Sequence, residues 1–248
     1  MTDNTNSSYR VQLIAPAAIL GISLIISTFI FSGTWRKIKS ENQTITVTGS
    51  AKKVIISDLG ILRGTINVEA ASASDAYRDL ELQKPVLLGY LKSKGFDGEK
   101  VNYQTINTFP NLNFNAQGQN IGIRSYNASQ TIDVSSSNVK LIKEISLEIS
   151  SLIQKGVSFQ VNPPEYYYTK LSDIKIEIQA QAARDAMTRG ERIAEATGRK
   201  LGTLKSARMG VLQITPENSN LTSDYGVNDV SSIRKEIVAV VNANFEID

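Results

Sequence analysis

The longest hydrophobic run of the chain lies near its N-terminus. No charged residue occurs from Val11 to Trp35, and a helix that spans a bilayer needs about 20 apolar residues. A tryptophan followed at once by basic residues, as at Trp35, is typical of the membrane–water interface. The pattern predicts a polar tail at 1–10, a transmembrane anchor at 11–35 and a polar linker at 36–43. The side chains predicted to face lipid are Leu13, Ile14, Leu20, Ile22, Leu24, Ile25, Ile26, Phe29, Phe31 and Trp35.

A cleaved signal peptide and a buried core helix are the alternatives to a retained anchor. A signal peptide has an apolar region of about 7–15 residues that ends in a small-x-small site. The run here is longer, and residues 31–34 match such a site poorly. A buried helix would normally show polar positions, so a retained anchor is favoured. Basic residues are more numerous after the run than before it, and this bias favours a cytoplasmic location for the rest of the chain.

From residue 44 onward, short segments of alternating polar and apolar residues are separated by longer segments with helical spacing. Thr44 to Thr48, with Ile45 and Val47 between the threonines, is typical of a strand. Gly49-Ser50 predicts a turn or bulge after this strand. The other predicted strands are 53–70, 101–109, 122–135, 157–161, 202–214 and 233–247.

The helical segments begin at Ser or Asp and end near Gly, as N-caps and C-caps commonly do. Three helices are predicted: from Ser72 or Ser74 to Gly95 with a kink at Pro85, from Ser137 to Lys155, and from Ser172 or Asp173 to Gly198. On the third helix the residues that share one face are Ala183, Ala186, Met187, Gly190, Ile193, Ala194 and Thr197. Small side chains at this face would let the helix lie close to a sheet or to another helix.

These elements predict an α+β fold. Antiparallel sheets with three long helices packed on them would form one domain at 44–248, preceded by one transmembrane helix.

Composition restricts the possible chemistry. The chain has no Cys and no His, which excludes thiolate nucleophiles, His bases, disulfides and zinc sites of the Cys/His kind. Residues 1–40 account for the whole net charge of +3, so the neutral remainder predicts no nucleic-acid partner. No acidic pair lies in a recognisable motif and no phosphate-binding glycine loop is present. We therefore predict no enzyme, no cofactor and no metal. A glycosidase-type carboxylate pair is the alternative.

Two aromatic segments are candidates for contacts between copies of the chain. "NPPEYYYTKL" holds Tyr166, Tyr167 and Tyr168, and the predicted hairpin loop "FPNLNFNAQGQN" holds Phe109 and Phe114. Tyrosine is enriched at protein interfaces. Three successive residues of a strand point to alternate faces, so at least one ring should be exposed unless both faces are covered. The alternative is that the tyrosines close the core beside a helix.

Several segments together resemble the SIMPL-domain family. They are "ITVTGSAKKVIISDLGILRGTINVEAASASDAY", "LKSKGFDGEKVNYQTINTFP", "RSYNASQTIDV", "SSLIQKGVSFQVN" and "RDAMTRGERIAEATGRKLGTL". The resemblance spans about 44 to 247. In one respect the chain departs from the family pattern, since Ser57-Asp58 stands where the family has Pro-Asp.

The resemblance implies a cell-envelope protein without an established reaction. Bacterial members are mostly periplasmic or associated with the outer membrane, and one is known to form ring- or channel-like oligomers. The chain is therefore expected to be an inner-membrane-anchored scaffold that faces the periplasm, with membrane lipid and its own copies as partners. The basic flank argues for the opposite side. The alternative function is an envelope module that binds a lipid, a peptide or a polysaccharide, for which the polar segment Asn111–Asn120 would suit hydrogen bonding.

Overall fold

The structure, a computed structural model, describes residues 6–40 and 43–248. Within the first helix, side chains are described at residue 16 and from 18 to 35. The described residues form four α-helices, which are α1 (Asn6–Ser40), α2 (Ala73–Ser93), α3 (Val139–Glu148) and α4 (Leu171–Ala196). The strands are β1 (Thr44–Ile56), β2 (Leu59–Ala70), β3 (Val101–Tyr103), β4 (Asn107–Phe114), β5 (Asn120–Ser136), β6 (Phe159–Val161), β7 (Glu165–Tyr167), β8 (Leu201–Met209), β9 (Gln213–Pro216) and β10 (Arg234–Ile247). Strands β2 to β10 pair in antiparallel ladders. The predicted α+β class, preceded by one apolar helix, is confirmed.

Helix α1 is longer than the predicted anchor at both ends. It includes residues 6–10 of the predicted tail and residues 36–40 of the predicted linker. Neither flank contains Pro or Gly, so nothing in the local sequence stops the helix. The other residues of the tail and linker that precede Gln43 lie outside the described part of the chain.

The chain divides into two compact units. One comprises Met1–Ala51, Gln179–Gly210 and Val240–Asp248, and the other comprises Lys52–Ile178 and Val211–Ala239. We call them the terminal unit and the central unit.

The central unit contains a six-stranded sheet with helices on one of its faces. Strands β2 and β5 pair over their whole common length, from Gly60–Ser136 to Ala70–Tyr126. Strands β3 and β4 lie beside β5, while β6 and β7 lie beside β2. Every second residue of β2 is buried, and this buried face packs with α2 and α3 in the main core. Such alternation is expected of a sheet that is covered on one face only.

The helix ends are set largely by local side chains. The Oγ of Ser72 accepts a hydrogen bond from the N–H of Asp75 at 3.1 Å, which confirms Ser72 as the N-cap of α2. This helix continues through Pro85. The N-cap of α3 is Asn138 and not the predicted Ser137, because the Oδ1 of Asn138 accepts from the N–H of Leu141 at 3.2 Å. After Glu148 the predicted second helix tightens into a 3₁₀ helix, Ile149–Lys155.

Residues 101–120 differ from the prediction. The predicted strand 101–109 is divided into β3 and β4, and β4 continues to Phe114 through the first half of the predicted loop. The actual turn covers residues 115–119. Its Asn115 Oδ1 accepts hydrogen bonds from the N–H groups of Gln117 and Gln119, at 3.1 and 2.9 Å, and Gly118 takes the left-handed conformation with φ of 76°.

Of the turn or bulge predicted at Gly49-Ser50, the turn is wrong, because β1 runs without interruption from Thr44 to Ile56, while the bulge stays a prediction. A glycine is required there for another reason. In the terminal unit, a Cβ at Gly49 would lie 2.3 Å from both the carbonyl oxygen of Ala182 and the nitrogen of Ala186. The break between β1 and β2 comes at Ser57-Asp58 instead. The predicted strand 202–214 is likewise two strands, β8 and β9.

Small residues of α4 are buried, as the sequence indicates, but the buried face of the helix differs slightly from the predicted one. Ala182, Ala186 and Ala194 are fully buried, and the backbone of α4 lies against β1 at Gly49. Met187 and Ile193, predicted on the same face, are 48% and 44% exposed. Residues four apart follow one side of a helix most closely, so the residues at intermediate positions fall at the edges of the stripe.

Candidate functional site

Strands β4 and β5 extend past the end of the central sheet as a two-stranded ribbon. Strand β2 ends at Ala70, which pairs with Tyr126 of β5. Beyond that pair, β5 is hydrogen-bonded to β4 alone among the described strands, from Asn111–Ser125 to Phe114–Asn120. The ribbon therefore presents unpaired backbone N–H and C=O groups along its edges, and such edges favour pairing with another strand.

The ribbon also exposes several apolar side chains and is almost without charge. Its large hydrophobic side chains are between 43% and 59% exposed, and they are Leu112, Phe114, Ile121 and Ile123; Phe109, at the base of the ribbon, is 48% exposed. Arg124 is the only charged residue from Val101 to Ile132. Clustered exposed apolar side chains of this kind mark interaction surfaces. Phe109 and Phe114, predicted to be contact residues, lie on this surface.

Hydrogen bonds hold the base of the ribbon to the sheet. The Oγ of Ser125 donates to the carboxylate of Glu69 on β2, and the same Oγ accepts from the Nδ2 of Asn111 at 3.0 Å. The hydrogen bond from Ser125 lowers the pKa of Glu69, and the charge of Arg124, 3.6 Å away, contributes to this shift. Two register shifts, after Asn111 and after Asn113, interrupt the ladder beyond this point.

The three tyrosines lie at the opposite end of β2. Tyr166 pairs with Gly60, whereas Phe109 pairs with Asn127, which lies opposite Glu69. Nine residues of strand separate the two places, or roughly 30 Å at about 3.3 Å per residue. The structure therefore does not bring the two aromatic segments together.

Tyr166 is a core residue, so its predicted place in an interface is corrected. Only 4% of it is exposed, because its side chain points to the face of the sheet that α2 and α3 cover. Tyr167 and Tyr168 are half-buried, and for them the interface stays a prediction. The hydroxyl of Tyr167 donates to Glu165 Oε2 at 2.7 Å, which raises the pKa of Tyr167.

Next to the tyrosines lies a buried lysine that the sequence did not indicate. Lys235 on β10 is 2% exposed, and its Nζ donates to the carbonyl oxygen of Tyr166 at 2.6 Å and to that of Asp229. Burial lowers its pKa, although the charge of Asp229 opposes the shift. The ammonium group thus joins β7, β10 and the segment before β10. A single lysine in an alternating strand gives no signal of this role.

The ionic groups on the open face of the central sheet are mutually paired. Arg63 Nε lies 2.9 Å from Asp133 Oδ1 and Arg63 Nη1 lies 3.8 Å from Glu165 Oε1. The hydrogen bond with Asp133 is the largest cause of the raised pKa of Arg63. Among the described residues, no group of three or more acidic, His or Cys side chains could hold a metal ion.

Helix α1 has the length and composition of a membrane span. Its window Ala18–Trp35 is apolar and has no buried part. Phe31 and Trp35, predicted to be anchor residues, stack with ring centroids 5.8 Å apart. The other predicted lipid-facing residues from Leu20 to Phe29 are exposed. Leu13 and Ile14 belong to the helix, but their side chains lie outside the described part of the chain.

The molecule is thus an α+β protein that carries an apolar helix of membrane-spanning length at its N-terminus. A family profile, SIMPL, described as a protein of unknown function (DUF541), matches residues 45–245. The chain belongs to the SIMPL family.

Individual relatives are distant. The chain is 22% identical over 180 residues to the uncharacterized protein YggE of Edwardsiella ictaluri, a match that covers 71% of this chain and 72% of that protein. Among solved structures, a protein named as an aminohydrolase from methicillin-resistant Staphylococcus aureus matches 52% of this chain and 32% of its own, at 12% identity and a TM-score of 0.24. A protein named as an amidohydrolase/peptidase from Burkholderia cenocepacia matches 49% and 29%, at 11% identity and a TM-score of 0.24. Structural similarity at this level indicates neither a shared fold nor a shared activity.

Proposed function

We propose that this protein is a non-enzymatic, membrane-anchored scaffold of the cell envelope that assembles with copies of itself through the β4–β5 ribbon. The observation that carries the proposal is the ribbon itself, which combines open backbone edges with exposed apolar side chains. The partner at this surface is a second copy of the chain.

The near absence of charge on the ribbon favours a protein partner. Burying a charged group without a partner is costly, and on this surface only Arg124 would have to be accommodated. Phe114 is 56% exposed. A phenylalanine has about 200 Å² of side-chain surface, so burying the exposed part contributes roughly 2–3 kcal/mol per copy at about 25 cal/mol per Å².

A retained helix α1 would strengthen weak contacts. Copies anchored in one membrane share a plane and a common orientation, which raises their effective concentration. A contact that is too weak to hold soluble molecules together can then maintain an assembly. The anchor and the ribbon therefore have complementary roles in this proposal.

We place the two units on the extracytoplasmic side, in agreement with the envelope location that the resemblance implies. The basic residues after Trp35 argue for the opposite side. Because the chain has no cysteine, a single cysteine in the turn 115–119 gives a clean test. An impermeant maleimide added to intact spheroplasts should label this cysteine. Labelling only after lysis would place the units in the cytoplasm.

The assembly is tested by the mass of the full chain in detergent, measured by light scattering. The wild-type protein should form a defined oligomer. The double variant Phe114→Ser/Ile121→Ser should dissociate at least tenfold more readily, because each substitution removes apolar surface from the contact. The control is Ile176→Ser/Leu221→Ser, which removes exposed apolar side chains elsewhere (70% and 62% exposed). Equal masses for both variants and the wild type would reject the ribbon as the contact.

A second candidate function is a ligand-binding module of the envelope. The observation that favours it is a cleft beside Tyr166, and ligand binding in this cleft would be independent of self-assembly.

A further inference from the structure

A cleft with a volume of about 430 Å³ lies beside Tyr166 in the central unit. This volume lies within the range of about 300–1,000 Å³ found for small-molecule sites. One wall comes from α3, a second from the two prolines before β7, and a third from the segment before β10. The lining residues on which the argument depends are Lys143, Leu147, Pro163, Pro164, Tyr166 and Ile233.

The wall that holds Tyr166 is fixed from several sides. The N–H of Tyr166 donates to the carbonyl oxygen of Val230 at 2.7 Å, and its own carbonyl oxygen accepts from Lys235 Nζ at 2.6 Å. Pro163 and Pro164 restrict the backbone just before it. The cleft is therefore preformed and needs little ordering when a ligand enters.

The hydroxyl of Tyr166 has no hydrogen-bond partner among the residues that the structure describes, and its oxygen keeps some contact with solvent although the residue is only 4% exposed. Burial raises the pKa of this hydroxyl, so it stays a proton donor. A ligand with an acceptor atom in the cleft would satisfy it.

A positively charged side chain, that of Lys143, lies at the rim of the same cleft. Lys143 is exposed, and its Nζ makes no salt bridge or hydrogen bond within the described chain. The hydroxyl protons of two neighbouring serines are already used, since Ser146 donates to the carbonyl oxygen of Lys143 and Ser231 donates to Asp229 Oδ1, both at 2.7 Å. Lys143 and Tyr166 are therefore donors available to a ligand, and together they favour a negatively charged acceptor.

The rest of the lining is apolar. Leu147 is 75% exposed, and it faces the same space as the two prolines and Ile233. We propose that the cleft binds a carboxylate attached to a short apolar chain. The carboxylate would lie between the ammonium group of Lys143 and the hydroxyl of Tyr166, and the chain would cover Leu147 and the prolines.

The proposal is tested with hexanoate and two matched probes, hexanol and hexylammonium. Binding to the full chain in nanodiscs is measured by saturation-transfer NMR, with empty nanodiscs to subtract partitioning into lipid. Hexanoate should bind saturably, hexanol more weakly, and hexylammonium not above the empty discs. Equal binding of hexanoate and hexylammonium, or no saturable binding of hexanoate, would overturn the proposal.

Three variants separate the roles of the two donors. Lys143→Gln should weaken hexanoate binding about two- to fivefold and leave hexanol unchanged, because only hexanoate uses the charge. Lys140→Gln, an exposed lysine of the same helix outside the cleft, should change neither. Tyr166→Phe should weaken both probes several-fold without lowering the unfolding temperature, because it removes a hydroxyl that has no partner within the described residues. The assignment is contradicted if Lys143→Gln binds hexanoate like the wild type. It is also contradicted if Tyr166→Phe lowers the unfolding temperature but leaves the affinity for both probes unchanged.

Discussion

The contact between β1 and α4 leads to a sharp prediction about Gly49. Replacing Gly49 by alanine would place a methyl group 2.3 Å from the carbonyl oxygen of Ala182, 2.3 Å from the nitrogen of Ala186 and 2.7 Å from its Cα. Ordinary contacts begin near 3.4 Å, so the strand and the helix would have to separate by about 1 Å. All three atoms belong to the helix backbone, and no side-chain rotation can relieve the clash.

The expected cost of Gly49→Ala is about 3 kcal/mol, the upper part of the range for overpacking. For a chain of this size that corresponds to a fall in melting temperature of roughly 6–12 °C. The separation should also lengthen the hydrogen bond between the N–H of Ser50 and Asp185 Oδ2, now 2.8 Å long. The assay is thermal unfolding of the full chain in detergent by circular dichroism, combined with hydrogen exchange of peptides from 179–196.

The matched control is Gly89→Ala in α2. A Cβ at Gly89 meets nothing within 4 Å, and alanine in a helix interior is favoured over glycine by about 0.5–1 kcal/mol. This control should therefore unfold at the same temperature as the wild type or slightly above it. If Gly49→Ala unfolds like the wild type and leaves the exchange of α4 unchanged, the close approach of strand and helix is refuted.

Two further predictions concern the segment before β10. Lys235→Met should lower the free energy of unfolding by about 2–4 kcal/mol, because it leaves the carbonyl oxygens of Tyr166 and Asp229 without their donor. The control is Lys52→Met, which replaces a side chain that is 72% exposed beside Glu236. It should change the free energy of unfolding by less than about 1 kcal/mol. Equal urea midpoints for the two variants would refute the bridging role of Lys235. The second prediction concerns Asp229: burial alone would raise its pKa, but hydrogen bonds from Ser231 and Ser232, with the charge of Lys235, lower it overall. Since the folded-state pKa lies below the unfolded value of about 3.9, this contribution is present above that value and is lost as the pH falls through the folded value. The urea midpoints of wild type and Asp229→Asn should therefore differ at pH 7 and converge below about pH 4; a constant difference would contradict the assignment.

The sequence indicates the elements of this fold better than their connections. Ser72 and Gly95 mark the ends of α2 correctly, because an N-cap hydroxyl and a left-handed glycine act within one turn of helix. Gly49 was misinterpreted because a glycine that admits a neighbouring backbone looks, in sequence, like a glycine that makes a turn. What decides between the two is α4, which lies far along the chain.

The residues of the ribbon and of the cleft could likewise be predicted from sequence only where a local signal marks them. Phe109 and Phe114 could be selected from sequence because they stand in a polar segment, and the absence of acidic and lysine residues from Val101 to Ile132 would have indicated the rest of the ribbon. Tyr166 could not be placed, because the side of the sheet on which its ring lies depends on the register of β7 with β2. Lys143 and Lys235 have no local signal, since their surroundings come from segments that are distant in sequence.

The central claim is that membrane-anchored copies of this chain contact one another through the β4–β5 ribbon. Single-cysteine cross-linking tests it most directly, because the chain has no cysteine of its own. Leu112→Cys and Ile123→Cys should each give a ladder of cross-linked species when membranes are treated with a short thiol cross-linker, whereas Leu221→Cys, exposed outside the ribbon, should stay monomeric. Monomers at both ribbon positions, or the same ladder at all three, would contradict the account.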